Sequence, residues 1–392
     1  MSHQNSIRAM VLMPRYLSAS EPWLLASIQG LGDEVVGIAG RSIADQTAFD
    51  RLIGMPLFFR LRSRNVIHRI LPKSLRRFSP YRGDQILKRA IEQTQANCVL
   101  CHFGTMALDH EQLWNEIELP LYVHFHGFDT MFDLRDPQDP SRMAHSQDYQ
   151  SRIVRLSHRA TFITNSKFTA DRLIQGGVDR NRIIVKYLGV PISDRPAVHS
   201  AKDVPTIVSV GRFVDCKGME LTVKAFAQLR AKGVRARLVI VGDGSERPTI
   251  EQAITESGCS EDIDLLGWKS SEEVRDILRH ADIFTIHNRV GPRTRQEEAL
   301  NLSVIEAMAL GLPVVSTKSG GVVETVVDGE TGLLGEPGDI DTQAKSLEML
   351  VIDAELRQSM GLSARERAIR FFSVEQELKA YREILASGFH SG

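Results

Sequence analysis

Two glutamates, Glu298 and Glu306, are the first candidates for chemistry in this chain. They lie eight positions apart in the stretch EEALNLSVIEAMALGLPVV, residues 297–315. On one helix they would stand about 12 Å apart along the axis, so we expect Glu298 in a loop after the apolar run IFTIHN and Glu306 in the first turns of a helix ending at Gly311. Carboxylates at such positions accept hydrogen bonds from vicinal sugar hydroxyls. An acid that only complements the helix dipole is the alternative for Glu306, and Glu297 is given no role.

Arg212 and Lys217 form the second candidate pair, because cations of these two types bind phosphate oxygens. They occur in VSVGRFVDCKGMEL, where a predicted strand ends at Gly211 and a helix follows Gly218. Backbone N–H groups at a helix start have the polarity that binds anions. We therefore predict that cations and amides bind phosphates while the carboxylates bind hydroxyls. A solvated loop with ordinary surface charges is the alternative.

Three further motifs carry weaker signals. The G-x-G of VGDGSERP lacks the third glycine of a dinucleotide fingerprint, and we expect it to serve a tight strand-to-helix turn. Cys98 and Cys101 form a C-x-x-C without a second cysteine pair, which favours a buried strand over a zinc or redox site. Neither of the DID triplets, at 262–264 and 339–341, lies where it could hold a metal-bound diphosphate. No metal site is predicted.

The elements that must position these residues alternate between short apolar strands and amphipathic helices. Runs such as IRAMVLMP, CVLCHFG and LYVHFHG are followed by helical patterns, which indicates parallel sheets covered on both faces. A Pro-rich polar break precedes a second series that begins with PTIVSVGR. We predict an α/β fold of two Rossmann-like, doubly wound domains that face each other across a cleft, with ligands outside the carboxyl ends of the strands.

The domain boundaries follow from this alternation. The first domain is predicted to cover 1–190, a linker 191–204 and the second domain 205–370, while a final helical segment, 371–392, either closes the second domain or crosses back to the first. The 392 residues are 42% hydrophobic and 25% charged with a net charge of −1, which is typical of a globular protein without a global attraction to nucleic acid. No apolar run reaches the roughly 18–20 residues of a membrane helix, and we expect a reduced, cytoplasmic protein.

Several motifs agree in spacing with one known family. HGFD, VGRFVDCKG, VGDG, EALNLSVIE and AMALGLPVVSTKSGGVVETVVDG resemble the nucleotide-sugar glycosyltransferases of family 4, most strongly over 205–340. The resemblance implies a GT-B fold and a retaining, metal-independent transferase that uses an activated sugar nucleotide. Ser20-Glu21 and the basic segment HNRVGPRTRQE are similar to the subgroup that builds bacterial exopolysaccharide and lipid-linked oligosaccharide.

The resemblance also implies roles for individual residues. Arg212 and Lys217 would hold the donor diphosphate, Glu298 the hexose hydroxyls and Glu306 the ribose diol. His126, at the end of a strand in VHFHGFDT, would orient the transferred sugar, although a histidine there is by itself more often a structural residue. The implied catalytic set is His126, Arg212, Lys217 and Glu298. The implied donor site is Gly211, Arg212, Lys217, Gly267, Trp268, Glu298, Ala299, Leu300, Asn301, Leu302 and Glu306, and the implied acceptor side is Ser20, Glu21 and Asp129.

A basic stretch, residues 51–82, contains nine Lys or Arg residues and no Asp or Glu. Two interpretations stay open. The stretch lies on an anionic membrane surface or receives a polyprenyl-pyrophosphate-linked acceptor, or it is a solvated helical pair that contributes to the fold. Co-sedimentation with anionic liposomes distinguishes them. A nucleic-acid partner is not predicted, because no fold signal for one is present.

The sequence therefore predicts a glycosyltransferase that moves a sugar from a UDP- or GDP-sugar to a carbohydrate or lipid-linked carbohydrate, in bacterial polysaccharide or glycoconjugate synthesis. No cofactor is expected, since the nucleotide sugar is a substrate. One alternative is a sugar-nucleotide epimerase or hydrolase on the same fold, which product analysis with and without an acceptor separates. The other is a non-catalytic sugar-nucleotide-binding regulator, against which the joint presence of the four implied catalytic residues argues.

Overall fold

The computed structural model of the chain describes residues 6–16, 22–43, 57–61, 82–194, 196–197 and 204–388. Ser20, Glu21 and most of the basic stretch 51–82 lie outside these ranges. No helix in the described part of the chain is long and apolar enough to cross a membrane.

The first half of the chain folds into a seven-stranded sheet. Its strands are β1 (Ala9–Tyr16), β2 (Val35–Ile43), β3 (Leu57–Arg60), β4 (Cys98–His102), β5 (Leu121–Phe125), β6 (Thr161–Thr164) and β7 (Ile183–Val185). Their order is β3-β2-β1-β4-β5-β6-β7, and each pair is parallel. Strands β4 and β5 are buried along their whole length, as expected for strands covered on both faces.

The second half forms a six-stranded parallel sheet with the order β10-β9-β8-β11-β12-β13. These strands are β8 (Thr206–Val210), β9 (Arg237–Val241), β10 (Ile263–Leu265), β11 (Ile283–Thr285), β12 (Val314–Thr317) and β13 (Gly332–Gly335). The strand order reverses between β8 and β11, which is where an open α/β sheet binds its ligands.

Helices connect the strands of both sheets. Those of the first half are α1 (Pro22–Leu31), α2 (Arg82–Thr94), α3 (Gly104–Leu108), α4 (Glu111–Trp114), α5 (Tyr149–Ser157) and α6 (Lys167–Gln175). Those of the second half are α7 (Met219–Ala231), α8 (Arg247–Glu256), α9 (Ser271–Arg279), α10 (Leu302–Leu310), α11 (Val322–Thr325), α12 (Ile340–Ile352), α13 (Ala354–Phe372) and α14 (Val374–Ser387). The predicted architecture of two Rossmann-like domains is confirmed.

Helix α14 crosses back and packs on the first domain. Its Tyr381 and Leu385 are fully buried in a core cluster with Ile28 and Tyr122. Just after β7, Lys186 forms an ion pair with Glu377 of α14, with 2.5 Å between Nζ and Oε1 and at most 2% exposure of either side chain. The last described helix therefore completes the core of the first domain.

Part of the basic stretch adopts a structure that neither interpretation of it included. Residues 57–60 form β3, which pairs with β2 at the edge of the first sheet, and the ring of Phe58 stacks on Tyr16 with 5.9 Å between centroids. The run LFFR is rich in aromatic residues, which favour strands. A helical pair is therefore wrong for these four residues, whereas membrane or acceptor contact by the stretch stays a prediction.

Cys98 and Cys101 face opposite sides of the first sheet. They lie three positions apart in β4, and successive side chains of a strand alternate between faces. Accordingly, Cys98 belongs to the core cluster that contains Tyr381, and Cys101 to the cluster that contains Trp114. Both thiols are buried and free, and burial raises the pKa of Cys98 to about 12. The interpretation as a buried strand is confirmed.

Candidate active site

Glu298 lies in the loop between β11 and α10, at the carboxyl edge of the second sheet. Its carboxylate accepts hydrogen bonds from the backbone N–H of Asn301 at 3.2 Å and from the side-chain amide of Asn288 at 3.4 Å. The amide of Asn301 also donates to the side-chain oxygen of Asn288 at 2.9 Å. These contacts hold the acid at the start of α10, in the loop position that the sequence predicts.

Lys217 and Glu298 meet directly. Nζ of Lys217 lies 2.5 Å from Oε2 of Glu298, and the two side chains are only 10% and 14% exposed. Lys217 comes from the loop after β8, and Glu298 from the loop after β11. The adjacent strands β8 and β11 therefore bring together a predicted phosphate ligand and a predicted sugar ligand.

Arg212 is exposed beside this pair, and no ion pair with it occurs among the described residues. Burial raises the pKa of the Cys216 thiol to about 12, and the charges of Glu298, Lys217, Asp215 and Arg212 all act on that thiol. The four charged side chains thus surround one short loop. An exposed guanidinium without an internal partner is available to an anionic ligand.

The G-x-G motif packs the loop after β9 against the loop after β8. Gly242 and Gly244 have φ of 144° and 153°, and a Cβ at either would overlap a carbonyl oxygen of Gly211 or Phe213. The N–H of Gly242 also donates to the carbonyl of Gly267 at 2.9 Å. The motif therefore serves a close approach of backbones, in agreement with the turn that the sequence predicts.

The remaining residues of the predicted donor site surround these loops. Trp268, which follows Gly267, is 66% exposed. Ala299, Leu300 and Asn301 are buried at the start of α10, and Leu302 is half-buried as the first residue of that helix. Their contacts with a nucleotide stay predictions.

Glu306 lies in the second turn of α10. No hydrogen bond to its carboxylate occurs in the described part of the chain, and burial raises its pKa to about 7, although Arg275 acts in the opposite direction. A half-buried acid without an internal donor can accept hydrogen bonds from a ligand.

Asp129 orders the HG-D loop of the first domain, which consists of residues 126–129. Its side chain is fully buried and accepts hydrogen bonds from the backbone N–H groups of Gly104, His126 and Gly127 at 2.9, 2.9 and 3.1 Å. Burial raises its pKa to about 6, against the effect of these N–H groups. Both carboxylate oxygens accept backbone N–H groups, so Asp129 orders the loop, and its place on the acceptor side stays a prediction.

The HG-D loop touches the loop that carries Glu298. Gly127 has φ of 122°, and a Cβ built on it would lie 2.7 Å from Cβ of Ala299. The two domains therefore meet next to Glu298, and His126 lies beside that contact.

His126 is surrounded by aromatic rings. The ring centroids of Trp23 and Phe103 lie 4.6 and 4.7 Å from its own, and its Nε2 is 3.0 Å from Nδ1 of His102. Burial, together with His102 and Lys186, lowers the pKa of His126 well below its usual range. The imidazole is therefore neutral near pH 7 and is suited to orienting a ligand rather than to carrying a charge.

Several residues that hold the site were not singled out in the sequence. The carboxylate of Asp215 accepts hydrogen bonds from the backbone N–H groups of Arg293 and Thr294, both at 2.9 Å, and from the Thr294 hydroxyl at 2.7 Å. His102 and His124 lie next to His126. Strand periodicity could have indicated His124, since residues two apart in VHFHG share a face; for Asp215 no local signal exists.

Comparison with known proteins identifies the family. Residues 192–367 match the model for glycosyl transferases group 1. The lipopolysaccharide core biosynthesis glycosyltransferase LpsE of Rhizobium meliloti is 32% identical over 244 residues, which are 61% of this chain and 68% of that protein. The GDP-mannose-dependent alpha-(1-6)-phosphatidylinositol monomannoside mannosyltransferase of Mycolicibacterium smegmatis is 30% identical over 167 residues, which are less than half of either protein, 43% and 44%.

Solved structures share the fold at lower identity. HepE of Anabaena, in complex with UDP and glucose, has a TM-score of 0.74 and 18% identity over 97% of this chain and 100% of that chain. Sucrose-phosphate synthase of Thermosynechococcus elongatus has a TM-score of 0.77 and 18% identity over 98% and 100%. The predicted GT-B fold is confirmed. From the family match and the alignment with LpsE, the chain belongs to the group 1 glycosyl transferases and is a glycosyltransferase.

Proposed function

We propose that the chain is a retaining, metal-independent transferase that moves a sugar from a UDP- or GDP-sugar to a carbohydrate or lipid-linked carbohydrate in polysaccharide or glycolipid synthesis. The contact between Lys217 and Glu298 supports this proposal most strongly, because it joins a cation and an acid beside the HG-D loop. A sugar diphosphate presents phosphate oxygens next to hydroxyls, and such a pair of side chains is complementary to both.

Arg212 and Lys217 bind the donor diphosphate in this proposal and stabilise the negative charge that it gains as the glycosidic bond breaks. Glu298 accepts hydrogen bonds from the hexose hydroxyls and Glu306 from the ribose diol, while His126 orients the transferred sugar. The leaving diphosphate accepts the proton of the acceptor hydroxyl on the same face, so the anomeric configuration is retained. Most of the rate enhancement comes from positioning the two substrates.

The names of similar proteins support this range of donors and acceptors. The mycobacterial relative is a GDP-mannose-dependent mannosyltransferase that acts on a phosphatidylinositol mannoside, and HepE was crystallised with UDP and glucose. LpsE is named for lipopolysaccharide core synthesis.

A thermal-shift panel of sugar nucleotides, followed by transfer assays, tests the proposal. We expect one UDP- or GDP-sugar to raise the melting temperature, since a ligand stabilises the folded state according to its affinity. Product with retained configuration should then form only when an acceptor is added. Equal rates of hydrolysis or epimerisation with and without acceptor would contradict the proposal.

Arg212→Ala tests the diphosphate assignment. We expect donor affinity to fall by roughly 10- to 100-fold, the effect of one hydrogen bond to a charged group, and transfer to be lost. Folding should be unaffected, because Arg212 is exposed. Arg235→Ala is the matched control, since Arg235 is an exposed arginine before β9, at the amino edge of the same sheet. Turnover near wild type in Arg212→Ala, or an equal loss in the control, would make the assignment wrong.

A further inference from the structure

Three histidines share one face of the first sheet at its carboxyl edge. His102 ends β4 and is the register partner of His124 in β5, and His126 lies two residues further on, so its side chain points to the same side as that of His124. The ring centroids of His102, His124 and His126 are 4.1 to 5.6 Å apart. Each ring offers one nitrogen to the cluster, and these nitrogens lie within 4.8 Å of one another.

The hydrogen bonds of the cluster leave nitrogen atoms without partners. Nδ1 of His124 pairs with the hydroxyl of Tyr381 at 2.7 Å, whereas its Nε2 is buried and has no partner among the described residues. When Nδ1 carries the proton and donates it to Tyr381, Nε2 holds a free lone pair. Burying a polar atom without a partner is unfavourable, so this nitrogen is available to a ligand.

We propose that His102, His124 and His126 bind one divalent transition-metal ion of the Zn²⁺ or Co²⁺ type. Three neutral imidazoles suit these ions, whereas Mg²⁺ and Ca²⁺ need oxygen ligands. A metal-ligating histidine usually donates its other N–H to a hydrogen-bond acceptor that fixes the ring, and Tyr381 supplies that acceptor for His124. The buried Nε2 lone pair would thereby gain a partner.

The distances fit such a site after small side-chain movements. Ligand nitrogens of a tetrahedral zinc ion are roughly 3.3 Å apart for bonds of about 2.0–2.1 Å, and the contact between Nδ1 of His102 and Nε2 of His126 is 3.0 Å. The nearby cation Lys186, which lies 3.7 Å over the ring of Tyr381, is paired with Glu377. The metal ion would therefore not face an uncompensated positive charge.

Metal binding would inhibit the transferase, because it would withdraw His126 from the sugar that this residue orients. This consequence rests on the proposed function, whereas metal binding itself does not. The ion would take no part in the proposed transfer reaction, which needs no metal, although the two sites share His126.

Titration of untagged, metal-free protein with Co²⁺ tests the site by a readout that is independent of transfer. We expect one equivalent of Co²⁺ to produce the visible absorption of a cobalt–histidine complex, and Zn²⁺ to displace it. His102→Gln and His124→Gln should abolish the band with native circular dichroism retained. Tyr381→Phe, which keeps all three ligands, should weaken Co²⁺ binding by roughly 10- to 100-fold. His158→Gln, at an exposed histidine, should change nothing.

The absence of a cobalt band in the wild-type protein, or a band that survives in both glutamine variants, would overturn the site. Donor binding by the same metal-free protein is measured separately by thermal shift, so failure of the metal site is distinguishable from failure of the proposed function. A stoichiometric cobalt band with an unchanged transfer rate would overturn the inhibition.

Discussion

At the residue scale, Lys217 and Glu298 are complementary charges that are both largely withdrawn from water. Each therefore lacks most of its hydration before a donor arrives and gains from a new partner of the right polarity. In the proposed complex Lys217 binds the diphosphate instead of Glu298, and Glu298 accepts hydrogen bonds from hydroxyl groups. The two charges compensate each other, and Arg212 lies outside the pair.

Glu306 should make stability and nucleotide binding depend on pH. Burial raises its pKa from 4.5 to about 7, so the folded state holds a proton that the unfolded state releases between these values. The free energy of unfolding should fall as pH rises through this range. In urea denaturation, the free energy of unfolding should differ between pH 5.5 and pH 7.5 by about 1–2 kcal/mol less in Glu306→Gln than in the wild-type protein.

The same titration predicts that UDP or GDP binds more tightly to the wild-type protein at pH 8 than at pH 6, because the ionised carboxylate is the better acceptor for a ribose diol. The affinity of Glu306→Gln should change less with pH, and the remaining change comes from the second ionisation of the terminal phosphate, which has a pKa of about 6. Identical pH slopes for the two proteins in both measurements would show that Glu306 is already ionised at pH 6.

At the element scale, loops that follow neighbouring strands build the site. The loops after β8, β9 and β11 meet through close backbone contacts and the carboxylate of Asp215. On the opposite side, Asp129 holds the HG-D loop in place by three backbone N–H groups. Rigid strands with anchored loops supply the positioning on which the proposed transfer depends.

Gly127→Ala tests whether the contact between the HG-D loop and the Glu298 loop matters for transfer. The new Cβ would lie 2.7 Å from Cβ of Ala299, on a backbone with φ of 122°. We expect transfer to fall by about 10-fold or more, with affinity for the free nucleoside diphosphate nearly unchanged, since the proposed diphosphate site lies in the second domain. Gly127→Ala combined with Ala299→Gly should recover part of the loss. Full activity of the single variant would exclude this contact from the reaction cycle.

The sequence predicts secondary-structure elements better than it predicts contacts between distant residues. The apolar runs around Val99 and Val208 predict strands because a strand that is buried on both faces needs a continuous run of apolar residues. The direct contact of Lys217 with Glu298 joins residues 81 positions apart in numbering and depends on which strands are neighbours. The edge strand β3 was missed because its three apolar and aromatic residues, Leu57, Phe58 and Phe59, lie in a stretch rich in Lys and Arg.

At the scale of the whole molecule, helices α11 and α14 both join the two domains. Glu324 of α11 accepts hydrogen bonds from the backbone N–H groups of Lys167 and Phe168 at the start of α6, both at 2.8 Å, and from the hydroxyl of Tyr187 at 3.0 Å. Helix α14 is the second connection. The contact between Gly127 and Ala299 adds to these connections, so the domains are joined at several points.

Glu377→Gln should destabilise the protein strongly, because Lys186 would keep a buried charge without its partner. We expect a loss of about 3–5 kcal/mol in the free energy of unfolding. The double variant Lys186→Met, Glu377→Leu should recover part of this loss, limited by the N–H of Gly189, which donates to Glu377 at 2.9 Å.

Glu34→Gln is the matched control for this prediction. Glu34 pairs with Arg382 of the same helix, but that pair is 28% and 44% exposed, so its loss should cost at most about 1 kcal/mol. Equal effects of Glu34→Gln and Glu377→Gln in urea denaturation would contradict the importance of the buried pair.

The return of α14 to the first domain also has a consequence for the order of events during translation. Residues 374–387 leave the ribosome after the last strand of both sheets, β13, which ends at Gly335. Until they arrive, the nascent first domain presents an open apolar groove beside Ile28 and Tyr122, with Lys186 lacking an anion. The domain that is synthesised first is thus the one that completes its folding last, in contrast to the usual N-to-C order of domains.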